Sequence, residues 1–426
     1  VLTEMITADK DAVWIIQSWQ GNPTTALLNG LDRVENGTDH ALILDLYAEK
    51  DPHYDEGRPG AGAYGDEEEF DKTPWLFCML NNFGGRLGLH GHLDNLANNI
   101  PKVFNETKYI AGIGITPEAS VNNPVLYDFL FETIWQDDAS QQMEVINLDT
   151  WLDDYATRRY GAESESANQA WDILKETVYK ASLNGLGQGA PESVVNARPN
   201  LTIGAASTWG NAVISYEKGD LEEAAALLLA DYDKLKDSAG YQYDLANVLQ
   251  QVLSNSAQEY QKGMSAAFSA KDLESFKTYS DKFMSVIEDM EKVTGTSEYF
   301  LLGRWVEQAK ALAKNADDFT KELYEFNAKA LVTTWGSKNQ AEKGGLKDYS
   351  NRQWSGLIGD FYKVRWQRWI TARMNELSGK EYESNIDWFE WEWEWVRSNK
   401  EYPTTATPQD LKTLGAKILE DYSVKN

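Results

Sequence analysis

The sequence predicts a parallel α/β region, residues 1–124, followed by an all-α domain, residues 125–426. Two observations lead to this division. In the first region, short apolar runs of strand length alternate with helix-like connections, which is typical of parallel strands buried on both faces. From Pro124 onward these runs give way to long segments with helical periodicity.

Four apolar runs are predicted to form the strands, in the order Val13–Trp19, Ala41–Tyr47, Trp75–Leu80 and Tyr109–Ile113. Helix-like connections such as Gly88–Asn98 favour a β/α barrel. A closed barrel needs eight strands, and four strands leave two open edges. We therefore expect the C-terminal half of a (β/α)8 TIM-like barrel, completed by an N-terminal half of the same protein that would precede Val1.

The all-α domain is predicted from amphipathic segments, the first of which has Asp220 as its N-cap. A run rich in tryptophan places Trp388, Trp391 and Trp395 on one helical face, at i, i+3 and i+7, which indicates core packing rather than a sugar platform. The predicted helices are Leu221–Leu235, Gln242–Ala270, Leu273–Met290, Tyr299–Lys314, Asp317–Thr333 and a last short helix within Tyr402–Asn426.

Composition argues against several classes of partner. The formal net charge is −27, from 67 acidic and 40 basic residues, which disfavours nucleic acid and anionic lipid. Apolar runs long enough to cross a membrane are not found, so no membrane insertion is expected. The only cysteine, Cys78, is expected to be a buried thiol. Sixteen Trp and 21 Tyr suit a protein that stacks sugars, although core packing explains most of them.

Three groups of side chains are candidates for chemistry. Glu118 follows the last strand in a Thr-Pro-Glu turn, where a barrel enzyme presents a nucleophile, although such a glutamate often only anchors a loop. Glu49 is a rival at the end of the second strand, with a structural or sugar-hydroxyl role favoured, and Asp45 is expected in a polar network. His90 and His92 could bind a metal, but no third ligand accompanies them. The acidic, glycine-rich segment 55–71 is predicted to be a solvated loop rather than a calcium site.

Ordered motifs along the chain then point to a family. Trp14–Trp19 and Trp75–Gly85 resemble the α-N-acetylglucosaminidases of glycoside hydrolase family 89. The likeness continues, in family order, through Arg158–Gly161, Phe300–Gly303, Thr334–Gly336, Asp348–Gln353 and Phe361–Trp366. A resemblance in this many ordered segments is more specific than any one motif.

The resemblance implies a set of site residues. Glu118 would be the nucleophile, while the acid/base, a glutamate after an asparagine, is expected upstream of Val1. The other implied residues bind substrate: Gln17, Trp19 and Asn82 as pocket residues, Trp335, Leu346 and Tyr349 as a lid segment over the sugar, and, less specifically, Trp209 and Arg198. Neither a metal nor another cofactor is implied.

The expected function is that of a retaining exo-glycosidase that removes terminal α-linked N-acetylglucosamine from mucin-type or heparan-type glycans by double displacement. The acidic surface favours neutral glycans over sulfated ones. Together with the single cysteine and the acidic, glycine-rich loop, it favours a bacterial extracellular or cell-surface protein over a lysosomal one. The alternative is a non-catalytic carbohydrate-binding or scaffold fragment that lacks the acid/base carboxylate.

Overall fold

The computed structural model of the protein describes residues 1–54, 68–119, 122–135, 142–180 and 188–423. The predicted loop over residues 55–71 lies for the most part outside the described residues. The chain divides into two compact units, of which the first comprises Val1–Asn82 and Gly91–Trp151. The second comprises Phe83–His90 and Leu152–Asn426.

The first unit is built on a parallel sheet whose four strands are adjacent in chain order. The inner strands are buried, as their apolar sequences predict: Ile43 and Phe77 are fully inaccessible. The outer strands keep apolar side chains in solvent, with Ile15 exposed by 59% and Ile115 by 39%. The strands are β1 Trp14–Ser18, β2 Ala41–Asp45, β3 Trp75–Met79 and β4 Ile110–Ile115. The prediction of a partial parallel barrel is confirmed, and among the described residues β1 and β4 are the outer strands of the sheet.

Helices connect these strands. The longest has an amphipathic sequence and buries Leu93, Leu96 and Ile100 completely, at the i, i+3, i+7 spacing of one helical face. It begins at Leu93, later than the sequence predicts, and Phe83–His90 belongs to the second unit. The helices are α1 Leu2–Ala8, α2 Thr25–Asp32, the short α3 Glu68–Lys72, in which residues 69–72 have positive φ, α4 Leu93–Glu106 and α5 Pro124–Thr133, with a 3₁₀ turn at Gly37–His40.

The first unit extends beyond the last strand as far as Trp151. Helix α5 carries Phe129, whose ring meets the indole of Trp151 edge to face at 4.9 Å between centroids. Contacts therefore hold the segment after the sheet to this unit. The domain boundary after residue 124 stays a prediction.

The second unit is helical, as predicted. At its centre is a helix of 31 residues whose Leu245, Leu249 and Leu253 are fully buried at i, i+4 and i+8. The first predicted helix begins earlier than expected: its N-cap is Glu217, and Asp220 lies in the first turn. The helices are α6 Leu148–Tyr160, α7 Glu165–Glu176, α8 Lys218–Ala230, α9 Tyr232–Leu235, α10 Ala239–Ser269, α11 Leu273–Thr294, α12 Leu302–Leu312, α13 Asp318–Leu331, α14 Lys363–Leu377, α15 Trp388–Val396 and α16 Leu411–Tyr422. Shorter turns lie at Val194–Asn196, Glu298–Phe300, Asn339–Lys343 and Ile358–Tyr362.

The tryptophan-rich run forms helix α15, but its buried face differs from the predicted one. Trp395 is buried, whereas Trp388 and Trp391 are only partly covered. Glu392 takes the inner position and is fully inaccessible, because its carboxylate forms the buried ion pairs described below. A helical pattern of aromatic residues thus predicted the element correctly but not the charge at its centre.

Candidate active site

The Thr-Pro-Glu turn at the carboxyl end of β4 is hydrogen-bonded to the chain at the ends of β3 and β2. The backbone N–H of Thr116 donates to the carbonyl of Met79 at 2.9 Å, which continues the sheet pattern one step past β4. The Thr116 hydroxyl donates to the carbonyl of Leu46, also at 2.9 Å. Glu118 follows two residues later with its side chain exposed to solvent. The turn therefore presents a carboxylate at the strand's carboxyl end, where barrel enzymes carry catalytic groups.

Asn82 supports the same turn from the loop after β3. Its carbonyl accepts the backbone N–H of Glu118 at 3.1 Å. Its side-chain amide donates to the carbonyl of Ala119 at 2.9 Å. The structure thus brings together two of the residues that the sequence singled out, and fixes the backbone of Glu118 from both directions.

Gln17 and Trp19 lie at the other edge of the sheet. Gln17 is exposed near the end of β1, and Trp19 begins a turn closed by hydrogen bonds with Asn22 at 3.0 and 3.1 Å. Since β1 and β4 are separated by two strands, about 14 Å divides their axes along a flat sheet, and less if the sheet curves.

Glu49 is buried beneath the loop that carries Asn82. Its carboxylate is 1% exposed and accepts the backbone N–H groups of Leu80 at 3.2 Å and Asn81 at 2.7 Å. Burial raises the pKa of Glu49 to about 8, against the lowering effect of these hydrogen bonds. These contacts give Glu49 a structural role, because its carboxylate holds the backbone that precedes Asn82.

The raised pKa of Glu49 predicts a pH-dependent stability. The folded state keeps a proton that the unfolded chain releases above about pH 4.5, so the free energy of unfolding should fall as pH rises from about 4.5 to about 8. Glu49→Gln should flatten this fall, because the amide does not titrate. Urea unfolding of both forms across the window checks it, with Glu106→Gln, an exposed change in the same unit, as the control. Parallel pH profiles for wild type and Glu49→Gln would contradict the assignment.

Asp45 lies in the expected polar network at the ends of β1 and β2. Its carboxylate accepts the backbone N–H groups of His53 at 2.8 Å and Tyr54 at 3.1 Å. The His53 ring in turn lies 2.7 Å from the hydroxyl of Ser18, measured from Nδ1 to Oγ. Asp45 and Ser18 are both fully inaccessible, which gives Asp45 a structural position beneath the strand ends.

In the second unit, the predicted lid residues and Trp209 form one cluster around Tyr349. The Tyr349 ring meets Trp335 at 5.2 Å and Trp209 at 5.7 Å between centroids, both edge to face. The N–H of Tyr349 donates to the carbonyl of Leu346 at 3.1 Å. Trp209 is 41% exposed, so the cluster reaches the surface of its unit. Flat, partly exposed rings of this kind suit the apolar face of a sugar.

The backbone of Tyr349 packs tightly against Gly84, which belongs to the same unit. Gly84 has a φ of +65°, and a Cβ there would lie 2.3 Å from the Tyr349 carbonyl oxygen, so only glycine fits. The Gly84 carbonyl accepts the hydroxyl of Ser350 and the guanidinium of Arg352. The Asn-Asn-Phe-Gly-Gly motif is thereby explained: its glycine allows the lid backbone to approach.

A network of ion pairs holds the lid segment, which is defined here as residues 335–349. Asp348, with a φ of +55°, receives Arg365 at 3.0 and 3.2 Å, and Arg365 also binds Glu392 at 2.7 Å. Arg198 joins Glu392 at 2.7 Å to Glu342 of the lid at 2.6 Å. Burial raises the pKa of Asp348 and Glu392 adds to this, while Arg365 opposes it. Arg198 therefore lies in this support network, a role that sequence reasoning missed.

Two absences concern the described part of the chain. Within it, no group of three or more His, Cys, Asp or Glu side chains is arranged to hold a metal ion. His90 and His92 are both buried, and burial lowers the pKa of His92 to about 4, so that ring is neutral near pH 7. No helix over the same residues combines the length and apolar character needed to span a bilayer.

A parallel sheet of partial-barrel type with a glutamate at a strand's carboxyl end is the arrangement on which barrel enzymes, glycosidases among them, carry catalytic groups. Residues 1–137 match the TIM-barrel domain of α-N-acetylglucosaminidase (NAGLU), and residues 151–419 match its C-terminal domain. The chain belongs to this family, glycoside hydrolase family 89. The resemblance noted in the sequence is confirmed.

Individual relatives agree with the family assignment. The human α-N-acetylglucosaminidase is 29% identical over 99% of this chain and 54% of its own length. A family 89 glycoside hydrolase from Clostridium perfringens, solved with PUGNAc, is 44% identical with a TM-score of 0.92, over 100% of this chain and 46% of its own. A variant of that enzyme with two glutamate-to-glutamine changes was solved with its substrate, GlcNAc-α-1,4-galactose. This chain spans about half the length of each relative.

Proposed function

We propose that this chain supplies the nucleophile of a retaining exo-α-N-acetylglucosaminidase. The Glu118 carboxylate attacks the anomeric carbon of a terminal α-linked N-acetylglucosamine while the glycosidic bond breaks. The leaving oxygen takes a proton from an acid/base glutamate on the N-terminal half of the barrel. That second carboxyl group then deprotonates a water, which hydrolyses the glycosyl–Glu118 ester and restores both groups. The two carboxyl groups would lie about 5–5.5 Å apart, and no metal or cofactor takes part.

The observation that carries this proposal is the setting of Glu118. Its side chain is exposed at the carboxyl end of β4. Its backbone is anchored by Asn82, and Thr116, two residues earlier in the same turn, is anchored by its own hydrogen bonds. A nucleophile needs this combination of an accessible carboxylate and a fixed backbone, because misplacement by about 1 Å costs up to a hundredfold in rate. The paired glutamate changes in the C. perfringens enzyme that holds its substrate support a two-glutamate mechanism.

The substrate side of the proposal assigns a contact to each remaining candidate. Tyr349, Trp335 and Trp209 would stack on a sugar ring, and Leu346 would line the same surface. On the sheet unit, Gln17 and Asn82 would donate hydrogen bonds to hydroxyl or acetamido groups, with Trp19 beside them. With a charge of −27, the chain favours neutral, mucin-type glycans over sulfated heparan-type chains, and a bacterial extracellular or cell-surface setting over a lysosome.

Turnover of an aryl α-N-acetylglucosaminide by the complete protein, including the N-terminal half of the barrel, tests the proposal. We expect release of the phenol, with the first sugar product in the α configuration by proton NMR. The aryl β-anomer is the matched control and should not be hydrolysed. A β-configured first product would contradict the retaining mechanism. Binding of GlcNAc-α-1,4-galactose without turnover would favour the alternative, a non-catalytic carbohydrate-binding protein.

A further inference from the structure

We propose that Glu192 is a positioning residue for the aromatic cluster formed by Trp209, Trp335 and Tyr349, and that it thereby sets the affinity for the terminal sugar. This inference rests on the proposed function, because it gives the cluster the task of binding that sugar. Glu192 is not on the lid, and its side chain is fully buried. Its importance follows from the segments that its carboxylate joins.

The first segment is the loop that carries Trp209. The Glu192 carboxylate accepts the backbone N–H groups of Ala206 at 2.7 Å and Ser207 at 3.0 Å, and the Ser207 hydroxyl at 2.6 Å. On the other side of Trp209, a Cβ on Gly210 would lie 2.1 Å from the Glu192 carboxyl carbon, so a larger residue there would displace the carboxylate. The loop is therefore shaped around this carboxylate on both sides of the indole.

The second segment is the end of the lid together with the residues directly after it. The side-chain amide of Asn351 donates to the Glu192 carboxylate at 3.0 Å, and a backbone carbonyl, that of Asp348, accepts from the same amide at 2.9 Å. Tyr349 lies between these two residues in the chain, so its backbone is bracketed by the contact. One carboxylate thus ties the segment that holds Trp209 to the segment that holds Tyr349.

The third segment contains Arg86. The Arg86 Nε lies 3.4 Å from a Glu192 carboxylate oxygen, and the guanidinium carbon lies 5.8 Å from the centre of the Tyr349 ring. Arg86 is 3% exposed, so this cation is available to the ring rather than to solvent. Removing the charge of Glu192 would leave Arg86 buried without its carboxylate and disturb the ring above it.

A matched pair of variants separates positioning from plain structural support. Glu291 also accepts a serine hydroxyl, that of Ser355 at 2.8 Å, and two backbone N–H groups, those of Gly356 at 2.7 Å and Gly359 at 2.9 Å. Glu192→Gln and Glu291→Gln therefore remove the same charge from similar donors in one unit. We expect both variants to lower the melting temperature of the complete protein. In each, backbone N–H groups that donated to a carboxylate are left beside an uncharged amide.

Of the two glutamine variants, only Glu192→Gln should weaken binding of the substrate and of the inhibitor. We expect its KM for the aryl α-N-acetylglucosaminide to rise about tenfold, with kcat within about threefold of wild type. Its affinity for 2-acetamido-1,2-dideoxynojirimycin, measured by calorimetry, should fall by the same factor. Glu291→Gln should leave both values unchanged. Ser207→Ala, which removes a single donor, should shift KM in the same direction by about two- to fivefold and serves if Glu192→Gln does not fold.

Equal KM values for the two glutamine variants, or for Ser207→Ala and wild type, would overturn the inference. A wild-type protein that neither hydrolyses the substrate nor binds the inhibitor is a different result. It would refute the proposed function, and the inference with it. The two failures are distinguishable because the first appears only in the variants.

Discussion

Glu118→Gln is expected to lower kcat for the aryl α-N-acetylglucosaminide by roughly three to six orders of magnitude in the complete protein. The amide cannot form the glycosyl ester, so the double displacement loses its first step. The change is nearly isosteric and the side chain is exposed, so the melting temperature should stay close to that of the wild type. Steady-state kinetics and thermal unfolding on the same preparation check both expectations.

Two further measurements sharpen this test. Glu106→Gln removes an exposed carboxylate of the same unit and should leave kcat unchanged. In Glu118→Ala, added azide should restore part of the turnover and yield the β-glycosyl azide, because the small anion attacks from the side that the carboxylate had occupied. A Glu118→Gln variant within about tenfold of wild-type kcat would remove this residue from the mechanism.

Arg365→Met should destabilise the protein by about 3–5 kcal/mol. Arg365 is fully buried between Asp348 and Glu392, both of which are also inaccessible, so its loss leaves two carboxylates without their shared cation. Burial of charge without compensation is among the costliest single changes in a protein. Urea unfolding followed by circular dichroism measures the loss.

The control for this prediction lies on the same helix. Arg368 pairs with Glu383 at 2.8 and 2.5 Å, but their side chains are 36% and 39% exposed. Arg368→Met should therefore cost no more than about 1 kcal/mol. A similar loss in the free energy of unfolding for the two arginine variants would show that the ion pairs of Arg365 do not stabilise the lid segment more than an exposed pair does.

The sheet could be predicted from the sequence because each of its strands is marked by a contiguous run of apolar residues. Four apolar runs, each five or six residues long in the structure, lack alternation, which is typical of parallel strands. The turn at Glu118 is also predicted from local sequence, because Gly, Thr and Pro are typical of the turn that follows a strand. The lid residues Trp335, Leu346 and Tyr349 were found only through family resemblance, because their spacing alone also fits helical core packing.

The supports of the site could not be predicted, because they join residues far apart in the sequence. Glu192 meets Asn351 across 159 positions, and Arg365 reaches the carboxylate of Glu392 from a neighbouring helix. No periodicity marks such pairs. A glycine pair after a strand, such as Gly84 and Gly85, can indicate a close backbone approach, but the partner, Tyr349, is known only from the fold.

Covalent trapping tests the assignment of the nucleophile most directly. A 5-fluoro glycosyl fluoride of N-acetylglucosamine, incubated with the complete protein, should leave an ester that breaks down slowly, and peptide mass spectrometry locates it. We predict one added sugar on the peptide that contains Glu118, and none in Glu118→Gln. A sugar attached to a different carboxylate, with turnover retained by Glu118→Gln, would contradict the account.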